Sequence, residues 1–282
     1  MADRLTTIGT GGDYADPILW AVGEGNINDG DRAVGEILND ITMSALFRPN
    51  QSFPNGGLLK GTSTVTGKTG DGISLGNTAG TRICLSPSDN LDFEDIEFIP
   101  GANTYSIQSL GSSTITRVLS AGLDLSPLPN KLPVLNNVVF DTIDFPSSST
   151  SGTLTLNNCL TPDRLIIRNN NLLVFKDSIS LASDWLLGRG TYTGSDTLVN
   201  FARILQNAPA SDFGTGSSDY TVNVDSTSEM VDYANGDYRI KSTSPLATAG
   251  SGGGYIGAFL ESGSGGVTIP VIINQLKNQG IL

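Results

Sequence analysis

The feature that most restricts the fold is a pair of echoes within the chain. Residues 90–98 read NLDFEDIEF and residues 137–145 read NVVFDTIDF, an offset of 47 that sets Asn90 over Asn137, Phe93 over Phe140, Ile96 over Ile143 and Phe98 over Phe145. The acids correspond too, Glu94 with Asp141 and Glu97 with Asp144. A second echo, VLNNVVF against TLNNCLT, sets Asn136-Asn137 over Asn157-Asn158 at an offset of 21. Self-similarity at a fixed period marks stacked units, and these offsets fit a coil of roughly 21 to 24 residues per turn, counted twice and once.

The apolar phase changes inside each copy. Phe93 stands at an odd position, Ile96 and Phe98 at even ones. A single strand keeps one parity, because its side chains alternate between faces. The break at Glu94-Asp95 therefore predicts a corner between two short strands. Asparagine pairs suit such corners, since Asn tolerates the left-handed conformation and bonds its own backbone. Short strands, polar corners and a repeat near twenty residues describe an all-β chain, a parallel β-helix whose rungs stack about 4.8 Å apart. A β-sandwich is the rival, because it too has many short strands at even spacing.

Composition narrows the chemistry. Among 282 residues there are 34 glycines, 13 prolines and no histidine, with 28 acidic and 16 basic side chains for a net charge of −12. A Ser-His-Asp triad, a Cys-His dyad and a histidine-ligated metal site all need an imidazole. Nucleic acid is not an expected partner, because its surface calls for an excess of Lys and Arg. No window approaches the ~18 apolar residues of a membrane span, and the opening MADRLTTIGTGGDYADP has no basic-then-apolar signal pattern. Cys84 and Cys159 both sit among alternating apolar residues. Core packing, a bridge or a reactive thiol are open to them, and core packing is the commonest fate of a free cysteine.

Three motifs fail on spacing or context. In GTSTVTGKT, Gly61 and Gly67 enclose five residues where a phosphate-binding loop has four. GGGYIG (252–257) satisfies G-x-G-x-x-G but lacks the strand-then-helix setting. Gly30 and Glu36 have EF-hand spacing, yet Gly25 and Ile27 stand where acidic ligands belong. No cofactor and no metal are expected.

Both ends resemble a known family. TTIGTGGDYADPILWAV is similar to the N-terminal cap of right-handed parallel β-helix proteins of the pectate-lyase-like superfamily, and GDYRIKSTSPLATAGSGGGYIGAF to their last rungs. The resemblance implies a right-handed single-stranded parallel β-helix over residues 1–261, roughly nine or ten rungs, with a capping helix at about Asp16 to Gly23. Ile18, Leu19, Ala21 and Val22 would form the helix's apolar face and Trp20 its rim. Residues 262–266 read as a flexible linker. Residues 267–282 read as an apolar tail, in which Val267, Ile269, Val271, Ile272 and Ile273 either fold back over the last rung or dock on another chain as an added strand.

For function, the resemblance implies three classes. The first is a non-enzymatic structural protein of a phage virion, a capsid decoration or surface spike assembling as a homotrimer with other virion proteins. It would be made in the host cytoplasm without a signal peptide. The second is a tail spike that binds or cleaves cell-surface polysaccharide. The third is a secreted polysaccharide lyase or glycoside hydrolase. The weak catalytic candidates are Glu97 and Asp144, which would project outward in one column two rungs apart, roughly 10 Å. That is just beyond the ~6.5 to 9.5 Å of paired carboxylates in inverting glycosidases. A solvated acidic face is the plainer reading of the same residues.

Overall fold

The computed structural model describes residues 2–25, 27–47, 53–78, 84–85, 90–99, 107–108, 113–124, 133–145, 153–167, 172–181, 184–187, 198–199, 227–250 and 253–262. Among the described residues the chain is all-β with one α-helix. Its strands are β1 (Asp3–Ile8), β2 (Arg32–Ile37), β3 (Ile41–Met43), β4 (Gly57–Gly61), β5 (Ile73–Asn77), β6 (Cys84–Leu85), β7 (Leu91–Ile99), β8 (Ile107–Gln108), β9 (Thr114–Asp124), β10 (Val134–Phe145), β11 (Thr153–Thr161), β12 (Arg164–Ile167), β13 (Leu172–Lys176), β14 (Ser178–Ser180), β15 (Asp184–Leu187) and β16 (Leu198–Val199). These sixteen form one sheet whose main path runs β1-β2-β4-β7-β9-β10-β11-β14-β16.

Pairing within this sheet is parallel, as between β7 and β9 or β10 and β11. Phe93 lies beside Ile115, Ile115 beside Leu135, Leu135 beside Leu156 and Leu156 beside Phe175, steps of 22, 20, 21 and 19 residues. The long strands bend. Leu91–Glu94 of β7 pair with β4, whereas Ile96–Ile99 pair with β5. The corner expected at Glu94-Asp95 is there, with Asp95 at φ 56°. The bend recurs rung after rung at Arg117 (52°), Asn137 (55°), Asn158 (50°) and Asp177 (49°), all in the left-handed region. Because each bend turns the parity over, Phe93 and Ile96 both face the same interior. There, Leu91, Phe93, Ile96, Phe98 and their counterparts on the next rungs form one apolar cluster.

The ladder confirms the 21-residue echo: Asn136 is the register partner of Asn157 and accepts a hydrogen bond from its Nδ2 at 2.9 Å. It corrects the 47-residue one. Phe98 stands beside Ser120 and then Phe140, so two rungs span 42 residues, and Glu97 stands beside Leu119 and then Val139. Asp144 belongs to another column, between Asp124 and Ile166. The echo matches bends of different columns, not equivalent ones: Asn90 (φ 76°) precedes β7, whereas Asn137 (φ 55°) bends β10 and stacks with Asp95 and Arg117.

Helix α1 (Pro17–Glu24) begins as expected, with the Asp16 carboxylate accepting from the Leu19 N–H and Pro in the first turn. Its buried face matches the predicted one only in part: Ala21 is buried and Ile18 packs against the core. Trp20 is fully buried and stacks on Phe53 at 5.2 Å, while Leu19 and Val22 are 50% and 60% exposed. The reason lies opposite the helix: a Cβ on Gly35 would come within 2.8 Å of the Trp20 ring, so the missing side chain makes room for the indole. Glu24 on the same face is buried but takes Arg4 Nε at 2.6 Å and Tyr14 Oη at 2.7 Å, partners that a buried carboxylate needs.

The C-terminal described segment departs most from expectation. β17 (Met230–Asp232), β18 (Asp237–Ile240) and β19 (Phe259–Leu260) make a separate three-stranded sheet, with β17 antiparallel to β18. The residues that resemble last rungs instead lie against the outside of the ladder. The linker at 263–266 and the tail residues Val267, Ile269, Val271, Ile272 and Ile273 lie outside the described residues. Among the described residues no helix is long and apolar enough to cross a membrane.

Candidate functional site

Past the left-handed bend, every second side chain points away from the interior. Glu97, Leu119, Val139, Leu160 and Ile179 are register partners on successive rungs. An outward apolar column of this kind would be an exposed patch. Residues 227–250 and 253–262 cover it as a strap: Met230, Ile240, Leu246, Ile256, Ala258 and Phe259 join Leu119, Val139, Leu160 and Ile179 in a second apolar cluster.

The bend residues hold the strap. Asn137 Nδ2 donates to Tyr255 Oη at 2.5 Å and to the Ala258 carbonyl at 2.9 Å, and Asn158 Nδ2 donates to the Tyr255 carbonyl at 2.9 Å. The Gly257 N–H donates to the Asp177 carbonyl at 2.8 Å. At the far edge, the Thr69 N–H donates to Gly236 O at 3.0 Å and the Tyr238 N–H to Gly67 O at 2.9 Å. Gly67 is required there: its φ is 105°, and a Cβ would lie 2.5 Å from the Phe259 ring. The two glycine motifs that mimic phosphate loops are thus strap contacts where the structure describes them, at Gly67–Thr69 and Gly253–Gly257; Gly252 lies outside the described residues. The strap itself was not foreseen; the only signal for it was the Asn pair at offset 21.

The acidic candidates divide. Glu97 is 6% exposed and accepts the Gly70 N–H at 2.7 Å. Burial, then repulsion from Asp40 and Asp71, pushes its carboxyl above the usual range. Asp144 is in β10, but its side chain lies outside the described residues. The two do not share a column, so the predicted carboxylate pair is not formed in that way. Glu94 does not align with Asp141 either; it pairs with Arg117, whose Nε and Nη2 also bind Asp95 at 2.7 Å each. Asp92 is taken by Arg32 Nη2 at 2.5 Å and the Thr114 N–H at 2.7 Å. These acids satisfy neighbours across rungs.

Asp141 is different. It is half-buried on the outward side, two residues beyond Val139, and its carbonyl accepts the Asp163 N–H at 2.9 Å, which places the two acids on adjacent rungs. Burial first, then the Asp163 charge, push its carboxyl up to about 6. Tyr233 and Tyr238 of the strap meet edge to face at 5.9 Å, and both phenols are raised, by burial and then by the Asp141 charge. Cys159 is a free, buried thiol that burial pushes up to about 12, which excludes a bridge and leaves it unsuited to nucleophilic attack. Among the described residues no group of three metal-ligating side chains is assembled.

Fold and site together define an all-β protein whose long parallel ladder carries a strap on one outer face. No protein-family model, no curated protein and no solved structure matches the chain.

Proposed function

We propose that the parallel ladder is a right-handed single-stranded β-helix, and that the chain is a non-enzymatic structural protein of a phage particle. It serves as a capsid decoration or surface spike, assembling as a homotrimer beside other virion proteins. The observation that carries this reading is the column of left-handed bends from Asp95 to Asp177, recurring at steps of 19 to 22 residues along a parallel ladder. A chain coiled at that interval is a stiff shaft in which each rung is hydrogen-bonded to the next, a shape suited to display rather than turnover. The acids Asp92, Glu94 and Asp95 support the same reading, since all are spent on Arg32 and Arg117.

Electron microscopy of the parent particle labelled with antibody against this chain tests it. Label over the shell supports decoration, label at the tail tip supports a spike, and unlabelled particles end the proposal. Light scattering of the purified chain reads the trimer separately.

One observation favours the polysaccharide-binding alternative: Asp141 and Asp163 lie beside Tyr233 and Tyr238, and carboxylates with aromatic rings suit sugar hydroxyls and faces. Release of reducing ends from host polysaccharide, abolished by Asp141→Asn, would establish it; no binding and no release would remove it.

A further inference from the structure

Strand β1 is paired along one edge only. Its hydrogen bonds to β2 use even-numbered residues: the Arg32 N–H donates to Ala2 O and the Leu38 N–H to Ile8 O, both at 2.9 Å. The odd-numbered residues of β1 therefore turn their backbone groups to the opposite edge. Thr7 is taken there, since its N–H donates to the Asp13 carboxylate at 2.8 Å and its carbonyl accepts the Tyr14 N–H at 3.0 Å. Asp3 and Leu5 have no backbone partner on that edge among the described residues. An unpaired strand edge is a template for another strand.

The same end of the ladder carries open apolar surface. Of the seven large hydrophobic side chains that stand exposed among the described residues, Leu5, Leu19, Val22 and Ile27 lie within the first 27. Leu5 heads an outward column whose next members, Val34 and Leu58, are buried, whereas Leu5 itself is 56% exposed. Helix α1 is fixed to β1 through Trp20 Nε1 on Thr6 Oγ1 at 3.0 Å and Arg4 Nε on Glu24, so its outer residues Leu19 and Val22 belong to this end as well.

We propose that residues 267–273 of the same chain add as a strand along the open edge of β1. Val267, Ile269, Val271, Ile272 and Ile273 make the segment apolar on both faces, which suits an end where strand and helix both expose apolar side chains. Residues 267–282 contain no acid and one lysine, Lys277, so nothing in them repels the exposed Asp3. Pro270 has no N–H and fits a strand only where that position faces solvent. Ile269 and Val271 then face β1, and the proline blocks addition of a further strand. The reach suffices. Phe259 packs on Gly67 in the loop after β4, two rungs from β1 or about 10 Å along the ladder, and the chain from Phe259 to Val271 extends to roughly 40 Å. The tether holds the segment at a high local concentration, which favours its own chain over a neighbour. The inference stands whether or not the virion reading holds.

Hydrogen exchange of the full-length chain, read residue by residue, tests this. The Leu5 amide should exchange roughly tenfold more slowly than in Val271→Pro, which removes an N–H facing β1; tenfold is about the worth of one such bond. Ile269→Pro should act alike, and the amides of β9 and β10 should be the same in all of these chains. Dilution should leave the protection of Leu5 unchanged. A Leu5 amide that exchanges freely in the unaltered chain, or as slowly in both variants as without them, would overturn the proposal. So would protection that fades on dilution, because a second copy would then be supplying the strand.

Discussion

The two faces of the same bent strands are closed in different ways. Inward, Ile96, Val118, Val138 and Cys159 stack rung on rung and are covered by residues one or two rungs away. Outward, Leu119, Val139 and Leu160 are as apolar, but their cover is Met230, Ile240 and Phe259. The hydrogen bonds that fix that cover join residues 118 and 97 positions apart, Asn137 to Tyr255 and Asn158 to Tyr255. Short-range closure lets the interior form rung by rung, whereas the outer face must first close a long loop. Among the described residues the inner cluster holds no charged side chain, while the strap interface takes in Glu97 and borders on Asp141. The ladder is therefore the stable body of the molecule, and the strap is the part that opens at lower free energy.

The sharpest way to break this contrast is Phe93→Ala. Phe93 is fully buried in the ladder's apolar cluster and meets Phe98 edge to face at 5.6 Å. Its loss should cost about 3–5 kcal/mol, read as a lower denaturation midpoint for ladder and strap together. Leu160→Ala should cost less, about 2–3 kcal/mol, and should loosen strap amides in hydrogen exchange before those of β10 and β11. Equal loosening of both would mean that the strap is no separate unit.

Glu97→Gln should act in the opposite direction. The carboxyl is raised by burial, so the stability tied to its protonation is present at low pH and lost as pH rises through its folded value. The amide should raise the thermal midpoint near pH 7 and leave it unchanged near pH 4; a lower midpoint at both would show that the Gly70 bond outweighs the burial cost. The smallest effect is expected for Leu19→Gln on the exposed helix face, within about 0.5 kcal/mol. Trp20, on the buried face, is the residue that should not tolerate change.

Several local features were legible in the residues. The parity change at Glu94-Asp95 located a real bend, because alternation is a backbone property that no neighbour can alter. Asn136-Asn137 over Asn157-Asn158 located a true rung-to-rung register. The resemblance of the opening segment placed the helix at about Asp16 to Gly23, within a residue of where it forms. The other echo misled for a physical reason: an Asn in the left-handed region looks the same at any bend, so likeness of Asn90 to Asn137 could not say which bends stack. The acidic site failed with it, since Glu97 and Asp144 were joined only through that alignment. Of the candidate site, Glu97 is placed and buried; the grouping of Asp141 with Asp163, Tyr233 and Tyr238 joins positions too distant in sequence to be paired by spacing.

By itself, the sequence determined the all-β class, the interval of about twenty residues, the polar bends and the absence of any imidazole chemistry. These depend on residue types and short-range backbone preferences. Only the tertiary structure decided that Trp20 faces inward over Gly35, that the Asp237–Ile240 and Phe259–Leu260 strands leave the ladder, and that they cover Leu119, Val139 and Leu160. Those outcomes depend on which apolar surface is left open once the parallel ladder has formed, and alternating side chains read the same whether a strand extends a ladder or lies across its outside.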